Sequence, residues 1–91
     1  MSGFLQISIT GAGQQSSAID VSGKFNLAIW GTFVGTIVLQ VSYDKGSTWQ
    51  KVEEYTAPAT DLGEFAPREI VQLRIISDTF TSGTANCRIS Q

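Results

Sequence analysis

Apolar and polar residues alternate along most of this chain, and the alternation predicts its elements. "FLQISIT" sets Leu5, Ile7 and Ile9 against Gln6, Ser8 and Thr10, the period of a strand with one buried face. "GAGQQSS" interrupts it, and "SAIDV" then predicts a short strand. "GKFNLAIWG" predicts a longer one, with Phe25, Leu27 and Ile29 on one face and Trp30 out of step beside them. "TIVLQVSY" collects Ile37, Leu39, Val41 and Tyr43 on one face, with Val38, Gln40 and Ser42 opposite, and is expected to pair with the strand before it. "TWQKVEEY" reads as the return strand after a turn.

"TAPATDLGEFAPRE", punctuated by Pro58, Gly63 and Pro67, predicts a long irregular connection crossing between two sheets. "IVQLRIIS" resumes the alternation with Val71, Leu73 and Ile75, "DTFTSG" breaks it, and "TANCRIS" closes the chain with Ala85, Cys87 and Ile89 in step. Nowhere do apolar residues recur at three and four over a helical length. About seven strands with regular turn signals predict an all-β fold in one domain, residues 1–91. The expected architecture is a small antiparallel β-sandwich, immunoglobulin-like or jelly-roll-like, with a small β-barrel as the alternative.

Composition narrows what such a domain does. With 91 residues the chain has room for one core, which argues against a deep catalytic cleft. Charged residues make up only 15% of it, against ~25% in an average soluble domain. Its surface is therefore largely neutral and polar, easier to desolvate than a charged one and suited to packing among other subunits. Six basic residues are scattered over a chain of net charge −2, so no basic stripe is expected to hold nucleic acid or an anionic membrane.

The N-terminal "MSGFLQISITGAG" has no signal-peptide pattern. No apolar run approaches the ~20 residues of a membrane-spanning helix. Cys87 is the single cysteine, which excludes an internal disulfide and fits folding in a reducing cytoplasm. Its place in the alternation predicts a buried apolar side chain.

With no histidine in the chain, nucleophile–histidine pairs cannot form and zinc ligands are few. Adjacent Glu53 and Glu54 point to opposite faces of a strand, which prevents them from acting as a facing acid–base pair. "GAGQQ" lacks the lysine of a phosphate loop. Neither catalysis, a cofactor nor a metal site is expected.

The most patterned segment is "SYDKGSTW". Its Ser42, Asp44, Gly46, Thr48 and Trp49 match all five defined positions of the Asp-box, which it resembles and which sialidases and many other β-rich proteins carry. The motif predicts a hairpin staple: Asp44 accepts from turn amides, Gly46 supplies a positive φ, and Trp49 covers the apolar base of the hairpin. No second carboxylate lies in the turn to help Asp44 hold calcium. A sialidase would need several such boxes and a far longer chain. "GTFVG" sets Phe33 and Val34 between two glycines, where they either fold back over the end of the sandwich or project as an apolar plug for a neighbouring subunit. Trp30, Tyr43 and Trp49 supply either packing or a platform for sugar rings.

Over longer stretches, "VSGKFNLAIWGTFVGTIVLQVSYDKGSTWQKV" and "LRIISDTFTSGTANCRIS" resemble a group of short proteins encoded in the structural regions of tailed bacteriophages. That group shares a "GxFNxxxWGTFVGTxxLxxSxDxGxTW" core and a "TSGTxxxRxSQ" tail. Lys24 stands where a small or neutral residue is expected, and "EEYTAPATDLGEFAPRE" lies outside the match. The resemblance implies a virion structural protein made in the host cytoplasm, a capsid decoration protein first and a minor tail or neck component as the alternative. It implies the major capsid protein or another virion protein as partner, self-association in the particle, and Arg88 as a candidate contact beside Phe33 and Val34. A carbohydrate-binding module displayed on the virion is the third reading.

Overall fold

The computed structural model describes residues 4–64 and 70–91. Eight strands follow one another: β1 (Phe4–Ile9), β2 (Ile19–Val21), β3 (Lys24–Trp30), β4 (Phe33–Ser42), β5 (Gln50–Tyr55), β6 (Ala59–Glu64), β7 (Val71–Gly83) and β8 (Ala85–Ser90). They form two four-stranded antiparallel sheets, sheet A in the order β1-β8-β3-β6 and sheet B in the order β2-β7-β4-β5. The fold is a β-sandwich, and this strand order is that of a jelly roll.

The order has a simple origin. Phe4 lies opposite Ser90, Ile19 opposite Leu73, Lys24 opposite Glu64 and Ile37 opposite Tyr55. Each pair joins residues nearly equidistant from Gly46. The described chain is thus one long hairpin ribbon, β1 to β4 against β8 to β5, rolled until β3 also meets β8 and β4 meets β7.

Between the sheets lie Leu5, Ile9, Phe25, Leu27, Ile29, Ala85, Cys87 and Ile89 from one side, and Ile37, Leu39, Val41, Val71, Leu73 and Ile75 from the other. These are the positions the alternation selects, and burying each large one contributes about 1.5–3 kcal/mol.

Four expectations are corrected. β3 and β4 do not pair, because the chain turns from sheet A to sheet B at Gly31 and Thr32. Beside this corner runs a second, at Gly83 and Thr84, where the Thr84 amide donates to the Thr32 carbonyl at 2.9 Å. Gly31 and Gly83 take φ of 109° and 92°, in the region that favours glycine. A Cβ on Gly31 would stand 2.5 Å from the Thr84 carbonyl oxygen, and one on Gly83 would collide with the Thr32 carbonyl.

The supposed irregular connection does cross between the sheets, within residues 56–58, but it then forms β6 on the edge of sheet A. Its Pro67 lies outside the described residues. "DTFTSG" does not end a strand either, since β7 continues through it to Gly83 with register shifts against β4. The described residues form eight strands, close to the about seven expected. Finally, Tyr43 leaves the buried face of β4 as the turn begins, whereas Val38 and Ser42, on the face expected to be polar, are buried.

Candidate functional site

The Asp-box residues assemble into one hydrogen-bonded turn. Asp44 Oδ1 accepts from the Ser42 hydroxyl at 2.7 Å and from the Thr48 amide at 2.9 Å, while Oδ2 accepts from the Thr48 hydroxyl at 2.6 Å. The Ser42 oxygen in turn accepts from the Gly46 amide at 2.7 Å. Lys45 and Gly46 both take positive φ, 59° and 93°. The Thr48 hydroxyl and amide, followed by the Ser42 hydroxyl, hold the Asp44 carboxyl down from 3.8 to about 2.

Every oxygen of this carboxylate serves the turn, which is the geometry of a staple. Trp49 lies half-buried under the Arg74 guanidinium, 4.2 Å from its ring centre. Arg74 Nε also donates to Gln40 Oε1 at 2.7 Å.

"GTFVG" is no loop tip. Phe33 opens β4 with its side chain in the core, stacked on Phe80 at 6.2 Å between centroids. Val34 points outward and is 58% exposed. Trp30 ends β3, while Tyr43 and Trp49 flank the turn at the far end of β4. Ten residues of strand at ~3.3 Å each separate these ends, so the three aromatics form no common platform.

Arg88 leads to a surface the sequence alone did not reveal. Register places Phe4, Ser90, Asn26 and Leu62 in one row across sheet A. Gln6, Arg88, Ala28 and Thr60 form the next row, and Ser8, Asn86 and Trp30 the third. All eleven face away from the core. Phe4, Leu62 and Trp30 stand at its margins, 62%, 77% and 42% exposed.

The interior of this face is small and neutral except for Arg88, whose guanidinium lies 4.7 Å over the Phe4 ring. Among the described residues Arg88 donates no hydrogen bond and meets no carboxylate, whereas Arg74 on sheet B is committed to Gln40 and Trp49. Period two identifies the outward residues of each strand. Only strand pairing tells which of them become neighbours, and that was the part of the pattern misread.

Elsewhere the chemistry is sparse. Open grooves of about 530 and 560 Å³ run along β3 and β6 beside Asn26 and Leu62, and another of about 370 Å³ lies beside Asp20, Lys45 and Gln72. A smaller cavity of about 150 Å³ lies at the β5–β6 edge between the sheets, lined by Phe25, Leu27, Leu39, Val52 and Tyr55 among others. Tyr55 closes this edge by donating to Asp61 Oδ2 at 3.1 Å, and burial, then that bond, pushes its phenol up. Among the described residues, no three of His, Cys, Asp and Glu gather as metal ligands. Cys87 is buried, which pushes its thiol up to about 12.

Comparisons with protein-family models, curated proteins and solved structures find no match to this chain.

Proposed function

We propose that this chain is a structural protein of a tailed-phage virion, a decoration protein that adheres to the assembled capsid through the outer face of sheet A. The observation that carries the reading is the interior of that face: small neutral residues rimmed by exposed Phe4, Trp30 and Leu62, with the Lys24 and Glu64 pair confined to one end and Arg88, which meets no carboxylate among the described residues, at its centre. Such a surface loses little on desolvation and offers a guanidinium, held over a ring, to a partner carboxylate. The resemblance of residues 21–52 and 73–90 to small phage proteins supports the same reading.

The partner is the major capsid protein or another virion protein. Adhesion at each site is modest, and the symmetry of a shell multiplies it. No catalytic step, cofactor, nucleic acid or membrane enters this role.

Quantitative mass spectrometry of purified DNA-filled particles tests it. A copy number near that of the major capsid protein, or a simple fraction of it, is expected. A handful of copies would move the chain to tail or neck, and absence would overturn the virion reading. Arg88→Glu is expected to weaken particle binding more than about tenfold with the melting temperature unchanged.

A further inference from the structure

The two sheets have four open edges, and three carry the features that discourage pairing with another chain. β5 presents Lys51, Glu53 and Glu54 and a register shift at Leu39/Gln40. β6 carries Asp61 and Glu64 with Gly63 between them. β2 is three residues long with Asp20 at its centre. Charges, irregularities and shortness are the means by which edges avoid sheet extension.

β1 has none of them. Its six residues, Phe-Leu-Gln-Ile-Ser-Ile, include no charge, no proline and no register shift against β8. Its inward Ile7 is only half-buried, and its outward Phe4 is exposed.

We infer that β1 is a self-pairing edge: the β1 strands of two copies meet antiparallel across a two-fold axis normal to sheet A, making one continuous eight-stranded sheet. An axis of that direction keeps Leu5, Ile7 and Ile9 of both copies on the core side, so that Ile7 gains cover. It sets neutral residues opposite neutral residues, whereas two β6 strands would bring Asp61 and Glu64 against their own kind. The two Arg88 side chains stand three strand spacings apart, roughly 14 Å, beyond the ~8 Å screening length at physiological salt.

Pairing also changes the size of the outer face. Four strands at ~4.8 Å and about six residues at ~3.3 Å give one copy roughly 380 Å² of projected surface. A stable interface uses ~800 Å² per partner, which is what two joined faces supply. The inference itself rests on the strand edge and not on the virion reading.

Sedimentation velocity of the full chain from micromolar to millimolar concentration is the test, with amide hydrogen exchange at both ends of the range. The expected result is a concentration-dependent monomer–dimer equilibrium in which β1 amides gain protection in the dimer. Gln6→Lys combined with Ser8→Lys, both on exposed positions, is expected to remain monomeric throughout. Gln6→Lys alone is expected to weaken the dimer at least tenfold, with the wild-type melting temperature retained. A monomer at every concentration, an open-ended polymer, or a dimer that survives the double substitution would each overturn the two-fold β1 pairing. Copy number in particles is measured separately, so the two proposals fail independently.

Discussion

Gly83→Ala is the sharpest perturbation of the corner on which the rolled ribbon depends. The new Cβ would collide with the Thr32 carbonyl oxygen and stand 2.7 Å from Phe33 Cα, both backbone atoms of the neighbouring corner. No rotamer relieves it. Holding a residue with a Cβ at such a φ costs about 1–3 kcal/mol. Moving the corners apart also forfeits the hydrogen bond from Thr84 to Thr32, worth about 0.5–1.5 kcal/mol. The sum, about 2–4 kcal/mol, is large against the ~5–14 kcal/mol expected of a domain this size. At ~4–8 °C per kcal/mol the melting temperature falls by roughly 10–30 °C.

Thermal and urea unfolding followed by circular dichroism measures the loss, with Gly11→Ala as the control. Gly11 has no atom within 4 Å of the site its Cβ would take, nor a positive φ. That variant should stay within about 0.5 kcal/mol of wild type. A Gly83→Ala protein as stable as the Gly11→Ala control would refute the tight double corner.

Other outcomes follow from the same geometry. The Asp44 carboxyl titrates lower in the folded chain than in the unfolded one, so its stabilising contribution is complete above pH 4 and disappears as pH falls toward 2. Melting temperatures across that window should decline less in Asp44→Asn than in wild type. Asp44→Ala should slow folding more than it speeds unfolding in stopped-flow chevrons, because the β4–β5 hairpin is the most local pairing in the ribbon. An increase confined to the unfolding rate would contradict this. The Cys87 thiol, buried and shifted to about 12, should react with a disulfide reagent only as fast as the domain opens, and prompt labelling would refute its burial. Phe33→Ser should cost about 3 kcal/mol or more through loss of core contacts with Phe80, while exposed Val34→Ser should leave the melting temperature within about 2 °C.

Most of the core was legible because period two reports directly on which face is buried, as in β1, β3 and β8. β6 escaped for a specific reason. Opposite the inward Phe25, Leu27 and Ile29 of β3 stand Gly63, Asp61 and Ala59, so its inward positions carry no large apolar side chain and its one Leu, Leu62, points out. The Phe25 ring fills the space that a Cβ on Gly63 would need. A strand that contributes backbone and lends its space to a neighbour leaves no alternation to read.

The extension of β7 was hidden differently. Its inward Ser77 is buried and donates its hydroxyl to the Gly11 carbonyl at 2.7 Å, while its amide donates to the Gln14 carbonyl at 2.9 Å. A polar residue committed to a passing segment looks, in sequence, like the start of a turn. The pairing error at β3 and β4 has the same character, since nothing local marks Gly31 as a corner until Gly83 is seen beside it. The Asp-box turn, in contrast, was readable because the hydrogen bonds among Ser42, Asp44, Gly46 and Thr48 lie within seven residues.

The ribbon also explains why the most patterned residues are poor guides to a contact surface. Asp44, Ser42 and Gly46 build its single tight turn. Gly31 and Gly83 build the paired corners, and Gln91 fastens the far end by donating from its side chain to the carbonyls of Ser22 and Lys24. Each is consumed by construction, and so is Phe33, half of a motif that in sequence could equally have been a plug. What construction leaves unused is a different set: Phe4, Leu62 and Trp30 expose apolar surface that the core does not claim, and Arg88 holds a charge that no carboxylate among the described residues answers. Exposed apolar area and an unpaired guanidinium are both costs to an isolated domain, and both are recovered when a complementary surface covers them. A contact surface is better sought in what the fold leaves uncovered than in the motifs that build it.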